Sequence, residues 1–243
     1  MNVLAIDTSS DTLSVALETE TQILHEEIDE VHGHSEYLME CADKLCKSAG
    51  IRPSGLNMVA CMKGPGSFTG LRIGFSTAKG IALALGIPLI AVPTLDCLAY
   101  PFSTWPGLVL PVLDAKKNCF FAAFYRGGEL LTDFFDASHG ELLKIMSGIM
   151  ISANEPILLT GAGAKLFLSR FEGASQGNSP HGDLIYAKEI TKKMNLDNKF
   201  ASGRAIELLR MTKNSSIYKK SDIDGAPVYL RKSDAELNCK KDG

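Results

Sequence analysis

The sequence predicts an α/β fold made of two similar halves, each with the element order β-β-β-α-β-α. In both halves the first apolar strand ends in an aspartate, Asp7 or Asp114, and two more short strands follow. In both halves a Gly-x-Gly turn, Gly64-Pro65-Gly66 or Gly161-Ala162-Gly163, follows the strand after the first helix. Aspartates at strand ends and Gly-x-Gly turns are each common, but their shared order favours an internal duplication.

The first half contains a three-strand meander followed by helices that alternate with buried strands. The apolar and alternating runs are separated by polar turns, as expected for strands joined by tight connections. Ser35 is the predicted N-cap of the first helix, and Gly50 is the predicted C-terminal stop. The predicted elements are strands at 2–6, 13–17 and 22–28, a helix at 35–49, a strand at 58–62, a helix at 70–85, a strand at 89–92 and a short helix at 94–100.

The second half repeats this order and ends with an additional helix. Residues 172–188 are polar and turn-rich, which predicts a surface loop, and residues 237–243 form a polar tail that we expect to be disordered. The predicted elements are strands at 108–113, 119–125 and 130–135, a helix at 141–149, a strand at 156–160, a helix behind the turn at 161–163 and a helix at 201–211.

The composition is that of a globular protein with no membrane segment. Of 243 residues, 45% are hydrophobic and 22% are charged, while the formal net charge is −3 and the pI is about 6.0. This charge disfavours autonomous binding of a polyanion. The six cysteines form no CxxC pair, which indicates reduced thiols in the cytosol rather than disulfides or a zinc site. The first residues have no basic region and no long apolar run, so we expect no signal peptide, no transmembrane helix and a cytoplasmic protein.

Two halves of this kind, with their turns facing a cleft, resemble the superfamily of actin, sugar kinases and heat-shock chaperones (ASKHA), a duplicated ribonuclease-H-like fold. We place the boundary so that 1–103 is the N-terminal half with partner-binding helices and 104–243 is the C-terminal half. In that superfamily the aspartate that ends the first strand helps to hold a nucleotide-bound metal. The aspartates could equally form turns by accepting backbone hydrogen bonds. The residues of a possible vestigial nucleotide cleft are Asp7, Thr8, Ser9, Asp114, Lys116, Gly161 and Gly163.

The sharpest local signal is the Gly-rich turn at 64–72 and the helix that it opens. The turn is not a Walker A loop, because Leu71-Arg72 follows Gly70 where that motif needs Lys and then Ser or Thr. Anion binding and a tight structural turn therefore both remain open. Small residues recur every four positions along the helix, so the stripe packs against its own sheet, against a helix of another chain, or against both on different faces. The stripe contains Gly70, Gly74, Ala78, Ala82 and Gly86.

No residue pattern in the sequence indicates catalysis. His32-Gly33-His34 has poor spacing for a metal site on one helix face, and a turn explains it better. HExxH and GxSxG motifs are absent, and no cysteine lies in a recognised nucleophile motif. We therefore identify no catalytic residue and no metal ligand.

Several segments together resemble the TsaB (YeaZ) family over residues 1 to about 236. The most specific of them is the stretch from Gly64 to Gly74, Gly-Pro-Gly-Ser-Phe-Thr-Gly-Leu-Arg-Ile-Gly. The others occur in the family's order: Ala5-Ile6-Asp7-Thr8-Ser9, His34-Ser35-Glu36, Asp114-Ala115-Lys116-Lys117 and Pro227-Val228-Tyr229-Leu230-Arg231.

The resemblance implies a role in placing threonylcarbamoyl on the adenosine beside the tRNA anticodon. The chain would be a non-catalytic partner of a TsaD-like catalytic subunit, with a TsaE-like ATPase as a further partner and a homodimer in isolation. ATP and Mg would be used by the complex, with no cofactor tightly bound to this chain, and tRNA would be met only through the complex. The family's interface lies on the N-terminal helices, here at 35–49 and 70–85. The partner-binding residues expected on them are Leu38, Cys41, Leu45, Gly70, Leu71, Gly74, Ala78 and Ala82.

One departure from the catalytic paralogue separates the two functions considered. TsaD-like proteins carry two histidine ligands four residues apart, and the matching positions here hold Thr94 and Leu98. This favours a scaffold or activator over an enzyme. The alternative is an ATP-dependent phosphotransferase of the sugar-kinase type, which would need Asp7 and Asp114 to bind Mg–ATP beside a catalytic base. A metalloprotease fails for lack of ligands.

Overall fold

The computed structural model describes residues 1–29, 33–151, 154–174, 192–199, 202–214 and 221–231. The chain divides into two compact units. Unit 1 contains Met1–Cys97 and Ser202–Gly243, and unit 2 contains Leu98–Ala201. In the described part of the chain, no helix is both long and apolar enough to cross a membrane.

Unit 1 is a five-stranded sheet covered by helices. The strand order is β3-β2-β1-β4-β5, with β1 antiparallel to β2 and parallel to β4. A short 3₁₀ turn at Pro53–Gly55 precedes β4. The elements are β1 (Val3–Asp7), β2 (Leu13–Glu18), β3 (Ile23–Ile28), α1 (His34–Ser48), β4 (Met58–Gly64), α2 (Phe68–Leu85), β5 (Leu89–Pro93) and α3 (Thr94–Ala99), together with a last helix, α6 (Ala205–Asn214).

Both faces of the central strands of unit 1 are buried, which explains why β1 and β4 are almost continuously apolar. One face packs Leu4, Ile6 and Val59 against α1 and α2 in a single core cluster. Helix α6 contacts β1, β2 and β4. Because side chains alternate along a strand, the residues between those of the core cluster, such as Ala5 and Ala16, lie on the opposite face of the sheet.

Unit 2 repeats the sheet with one added hairpin. The strand order is β10-β7-β6-β11-β12, and β8 and β9 extend from β6 outside this path. Its core cluster joins the sheet to α4 and α5. A 3₁₀ turn at Tyr100–Phe102 leads into the unit. The elements are β6 (Leu108–Asp114), β7 (Cys119–Ala122), β8 (Tyr125–Arg126), β9 (Glu129–Leu130), β10 (Phe135–Ser138), α4 (His139–Ile149), β11 (Ile157–Thr160), α5 (Ala164–Ala174) and β12 (Met194–Leu196).

The two sheets have the same topology, which confirms the predicted duplication. Strands β1, β2, β3, β4 and β5 correspond in order to β6, β7, β10, β11 and β12. In both sheets the first strand is antiparallel to the second and parallel to the fourth, and the fourth is parallel to the fifth. The fold is an actin-like duplicated α/β fold. That the two halves face each other across a cleft stays a prediction.

The structure corrects the predicted domain boundaries at the C-terminal end. The predicted C-terminal half, 104–243, is divided between the two units, because the residues from Ser202 onward belong to unit 1. The physical reason is the apolar side of α6, where Leu208 and Leu209 are fully buried in a helix that covers the first sheet. The other predicted boundary, near residue 103, differs from the observed division at Cys97/Leu98 by only a few residues.

Three local predictions also change. Helix α1 begins at His34, after Gly33 with φ 132°, so Ser35 is inside the helix rather than its N-cap. The third meander strand of unit 2 is Phe135–Ser138, because Glu129–Leu130 pairs with the added strand β8 instead. Helix α5 continues to Ala174, so the loop predicted at 172–188 cannot start before 175; its remainder, like the tail at 237–243, lies outside the described residues. Gly50 does end α1, with φ 68°.

Candidate functional site

The first strand-end aspartate is a buried hydrogen-bond acceptor. Asp7 is 2% exposed. Its Oδ1 accepts from the backbone N–H and the hydroxyl of Ser9 at 2.9 and 2.7 Å, and its Oδ2 accepts from the backbone N–H of Arg204 at 2.9 Å. Ser14 on β2 accepts from the N–H of Ala205 at 3.3 Å. The two side chains therefore satisfy backbone donors at the start of α6, which a helix cannot satisfy by itself.

The Gly-rich turn packs directly onto the residues after Asp7. Ser67 donates its N–H to the carbonyl of Ser9 at 2.8 Å and also caps α2 by accepting from the N–H of Gly70. Thr8 donates its hydroxyl to the carbonyl of Gly70 at 2.8 Å. Thr8 and Ser9 are thus brought into contact with the Gly-rich turn, while the predicted nucleotide cleft that would join Asp7, Thr8 and Ser9 to residues of unit 2 stays a prediction. The bonds they make are internal to unit 1, so of the two interpretations of the turn, the described contacts favour the structural one.

The small-residue stripe of α2 faces the inside of unit 1. A Cβ on Gly70 would lie 2.1 Å from the carbonyl oxygen of Thr8, and a Cβ on Gly74 would lie 2.1 Å from Thr8 Oγ1. Ala78 and Ala82 are buried in the core against the sheet. Positions 70 and 74 are glycine because the turn after β1 crosses α2 too closely for any side chain, whereas Gly86, the last member of the stripe, is exposed and ends α2 with φ 64°.

The predicted partner-binding residues are therefore corrected. All eight are buried within unit 1, so their side chains form no surface on which another chain could dock. A small-residue stripe fits internal and external packing equally well, and in unit 1 these residues pack internally. The buried residues are Leu38, Cys41, Leu45, Gly70, Leu71, Gly74, Ala78 and Ala82.

The exposed face of the same two helices has its own unusual features. Tyr37 and Met39 on α1 are 41% and 53% exposed, and Leu83 on α2 is 61% exposed. Gly80 lies in the interior of α2, is exposed, and a Cβ there would meet nothing within 4 Å. Glycine in a helix interior costs about 1 kcal/mol relative to alanine. A Cβ at this position would meet none of the described residues, so packing within the described part of unit 1 does not require glycine here.

A C-terminal segment, which we call the strap (221–231), runs along the edge strand and the start of α2. Asp222 donates its N–H to the carbonyl of Leu89 at 2.7 Å and accepts from the N–H of Ala91 at 3.0 Å. Val228 donates its N–H to the carbonyl of Lys63 at 2.6 Å. The strap thereby covers the free edge of β5, which would otherwise be open to pairing with another strand.

The second strand-end aspartate has a different environment. Oδ1 of Asp114 accepts from the N–H of Lys116 at 2.8 Å and Oδ2 accepts from its ammonium group at 2.9 Å. Lys116, Lys117 and Asn118 all have positive φ, which is uncommon outside glycine. Burial acts to raise the pKa of the Asp114 carboxyl, but the hydrogen bonds from Lys116 and its charge, with that of Arg170, outweigh burial and lower it.

The predicted residues of unit 2 also converge. Gly163 packs on the end of β6, where a Cβ would lie 2.8 Å from the backbone nitrogen of Asp114, and its own N–H donates to the carbonyl of Val112 at 2.9 Å. Asp114, Lys116, Gly161 and Gly163 thus form one corner of unit 2. Nearby, burial and the charge of Arg170 lower the pKa of His139 to about 4, so this imidazole is neutral at physiological pH.

Two kinds of catalytic group can be compared with the described residues: a metal cluster and a reactive thiol. Among them, no group of three or more His, Cys, Asp or Glu side chains could hold a metal ion. Burial raises the pKa of the Cys61 and Cys97 thiols, which disfavours the reactive thiolate. Thr94 and Leu98, at the positions compared with metal ligands, are both buried in α3.

The duplicated fold and its strand-end aspartates define an actin-like protein, and comparison with known proteins gives the family. The family model described as tRNA N6-adenosine threonylcarbamoyltransferase (TsaD) matches residues 22–168, more than half of the chain.

Curated relatives make the assignment more specific. The tRNA threonylcarbamoyladenosine biosynthesis protein TsaB of Bacillus subtilis is 31% identical over 173 residues, 71% of this chain and 76% of that protein. The Escherichia coli protein of the same name is 33% identical over 132 residues, 53% of this chain and 57% of that protein. A crystal structure from Pseudomonas aeruginosa, of a protein with similarity to peptidase YeaZ, shares the fold with a TM-score of 0.72 at 24% identity, covering 95% of this chain and 99% of that one. The chain belongs to the TsaB (YeaZ) family.

Proposed function

We propose that this chain is a non-catalytic partner of a TsaD-like catalytic subunit in the biosynthesis of threonylcarbamoyladenosine in tRNA. Its relatives are named for that pathway, and the family model that it matches is named for the transferase itself. The observation that carries the partner role is the set of exposed apolar side chains on α1 and α2, Tyr37, Met39 and Leu83, together with the helix backbone left bare at Gly80. Such a surface suits close packing against a helix of another protein.

The state of Asp7 supports a non-catalytic role. A metal–nucleotide site of the actin type needs carboxylate oxygens that can reach the ion, and both oxygens of Asp7 already accept hydrogen bonds from unit 1. Moving this carboxylate onto a metal would leave the N–H of Arg204 buried and unpaired, at a cost of about 1–3 kcal/mol. A metal at Asp7 would have to compete with these hydrogen bonds at a carboxylate that is 2% exposed, which disfavours the phosphotransferase alternative.

The proposed complex contains more than these two proteins. We propose that a TsaE-like ATPase joins the complex, that ATP and Mg are used there rather than by this chain alone, and that tRNA is met through the complex. In isolation the exposed helix face would pair with a second copy of itself. The reaction would take place in the cytoplasm, where tRNA is modified.

Reconstitution tests the proposal. The purified chain is mixed with the TsaD-like subunit of the same organism, with and without ATP, and co-elution and tRNA modification are measured. We expect a stable complex, and modification only when both proteins are present. Modification by this chain alone, or steady ATP turnover with a small sugar or acid, would reject the non-catalytic role.

A matched pair of variants locates the surface. Gly80→Arg places a large side chain on the exposed face of α2, and Gly148→Arg does the same at an exposed helical glycine of α4, where a Cβ also meets nothing within 4 Å. We expect Gly80→Arg to abolish complex formation while the variant stays folded, and Gly148→Arg to bind like the wild type. Equal binding by both variants would remove α2 from the interface.

A further inference from the structure

An exposed arginine at the start of α2 is held by two aromatic rings. The guanidinium carbon of Arg72 lies 3.8 Å from the ring centroid of Phe68, one helical turn earlier, and 5.8 Å from that of Tyr229 in the strap. The two rings are 4.7 Å apart, and Arg72 Nε donates to the Tyr229 hydroxyl at 3.2 Å. Cation–π contacts and this hydrogen bond together restrict the side chain, so its position is set before any ligand binds.

The outer edge of this guanidinium has no partner among the described residues. Only Nε makes a hydrogen bond there, and no described carboxylate lies within ion-pair distance of Arg72. The contrast is Arg126, whose Nε and Nη2 both bind Glu155, at 2.8 and 3.1 Å. The two terminal nitrogens of Arg72 make no hydrogen bond to a described residue. Together they have the geometry that binds a carboxylate in a bidentate manner.

The strap fixes Tyr229 beside Arg72. Lys79 on α2 donates to the carbonyl of Gly225 at 3.3 Å, and the backbone bonds of Asp222 and Val228 hold the segment on both sides of that point. Val228 and Tyr229 are themselves 41% and 38% exposed. The strap therefore adds an apolar and aromatic edge to the end of the exposed face of α2.

Charge and position indicate what would bind here. Helix α2 contains two cations, Arg72 and Lys79, and no acidic residue. Arg72 continues the exposed line of Ser76, Gly80 and Leu83, at intervals of about one helical turn. A bare backbone and exposed apolar side chains suit a protein helix better than an RNA backbone, which would be bound mainly by charge.

We propose that Arg72 binds an acidic side chain on the docking helix of the partner, and that the strap is part of that interface because Tyr229 positions the guanidinium. This inference rests on the proposed function and adds to it a residue that sets which partner helix fits. A bidentate carboxylate opposite Arg72 fixes the register of that helix along α2, since a shift by one turn would leave both charges unpaired.

Calorimetric titration of the full chain with the TsaD-like subunit tests the proposal. We expect Arg72→Gln to raise Kd by about tenfold, because truncating one partner of a desolvated charge pair is costly. Arg72→Lys, which keeps the charge without the fork, should weaken binding less than Arg72→Gln. Tyr229→Phe, which removes only the hydroxyl that orients Nε, should also weaken binding. Added salt should weaken binding of the wild type more than binding of the Arg72→Gln variant.

The matched control is Arg52→Gln, which removes the same charge from another exposed site of unit 1. It should bind like the wild type, and all variants should keep the wild-type thermal unfolding midpoint. If the wild type binds and Arg72→Gln binds equally well, the inference is wrong while the proposed function stands. If the wild type itself does not bind, it is the proposed function that fails.

Two other occupants of Arg72 would also overturn the proposal. If RNA covers it, Arg72→Gln will lower tRNA affinity and leave the affinity for the partner protein unchanged. If the chain's own acidic residues cover it, the double variant Asp234→Asn/Glu236→Gln will change partner affinity as much as Arg72→Gln does. An unchanged Kd for that double variant, beside a raised Kd for Arg72→Gln, supports the partner's carboxylate.

Discussion

Helix α2 has glycines on two faces, and their surroundings differ: the inner glycines are closely packed, and the outer one is open. On the inner face, Gly70 and Gly74 lie so close to Thr8 that a Cβ would approach its oxygens to 2.1 Å. On the outer face, a Cβ on Gly80 would meet nothing within 4 Å. The fold of unit 1 explains why positions 70 and 74 must be glycine, whereas none of the described contacts requires glycine at position 80. Within the eighteen residues of α2, the inner glycines are a structural requirement and the outer one is available for the partner contact proposed above.

The largest expected difference is between Gly74→Leu and Gly80→Leu. Leucine at 74 would overlap Thr8 at the crossing of β1 and α2, and we expect it to lower the free energy of unfolding by about 3 kcal/mol or more. Leucine at 80 should raise it by about 0.5–1 kcal/mol, because leucine is a better helix former than glycine. Urea denaturation of both variants gives the comparison, and equal stabilities would show that the inner face is not closely packed.

The two strand-end aspartates extend the comparison from one helix to the two units. Asp7→Asn places an NH₂ group where Asp7 now accepts hydrogen bonds from Ser9 and Arg204, so a buried donor loses its acceptor. We expect a loss of about 1–3 kcal/mol in the free energy of unfolding. Asp114→Asn should cost about 0–1 kcal/mol, because its pair with Lys116 is largely exposed. Thermal melts followed by circular dichroism measure both, and a larger loss at Asp114 would contradict the assignment.

A double-mutant cycle sharpens the explanation of the inner face. Gly74→Ala alone should destabilise unit 1 by about 1–2 kcal/mol, since the added methyl group must displace Thr8 Oγ1. Thr8→Ala removes that oxygen together with its bond to the Gly70 carbonyl. In the double variant the methyl group should cost less than in the wild-type background, so the double variant should be destabilised by less than the sum of the two single effects. Additive effects would mean that another atom forbids a side chain at 74.

The smallest expected effect is that of Gly80→Ala. A single methyl group on the outer face touches nothing in unit 1, so the isolated chain should gain about 0.5–1 kcal/mol in unfolding free energy. The same methyl group should weaken association with the TsaD-like partner if a backbone packs there. A variant that is both less stable and unchanged in binding would remove the functional interpretation of Gly80.

Much of the architecture could be predicted from local patterns. Apolar runs that end in Asp7 and Asp114 gave the first strand of each half, and the two Gly-x-Gly turns placed the helices behind them. Gly50 was correctly identified as the end of α1. These features are encoded within a few residues of each other, so no distant contact was needed to predict them.

The candidate interface was harder to predict because a stripe of small residues does not say which side of the helix it lies on. Gly70, Gly74, Ala78 and Ala82 form a regular pattern, whereas the outer face proposed to bind the partner contains Arg72, Ser76, Gly80 and Leu83, which share no such pattern. The contact between Arg72 and Tyr229 joins residues 157 positions apart, so no local signal could reveal it. The path of α6 onto the first sheet was missed for the same reason.

The sequence by itself determined the duplicated order of strands and helices, because periodicity, caps and turns act over short distances along the chain. Only the tertiary structure decided what each surface contacts. Asp7 accepts a hydrogen bond from the backbone at the start of α6, and the inner glycines of α2 pack against Thr8. The strap holds the guanidinium of Arg72 on the outside of unit 1. The physical reason is that close packing and hydrogen-bond pairing depend on which backbone segments cross in space. Residues far apart in the sequence come into contact only after the chain folds.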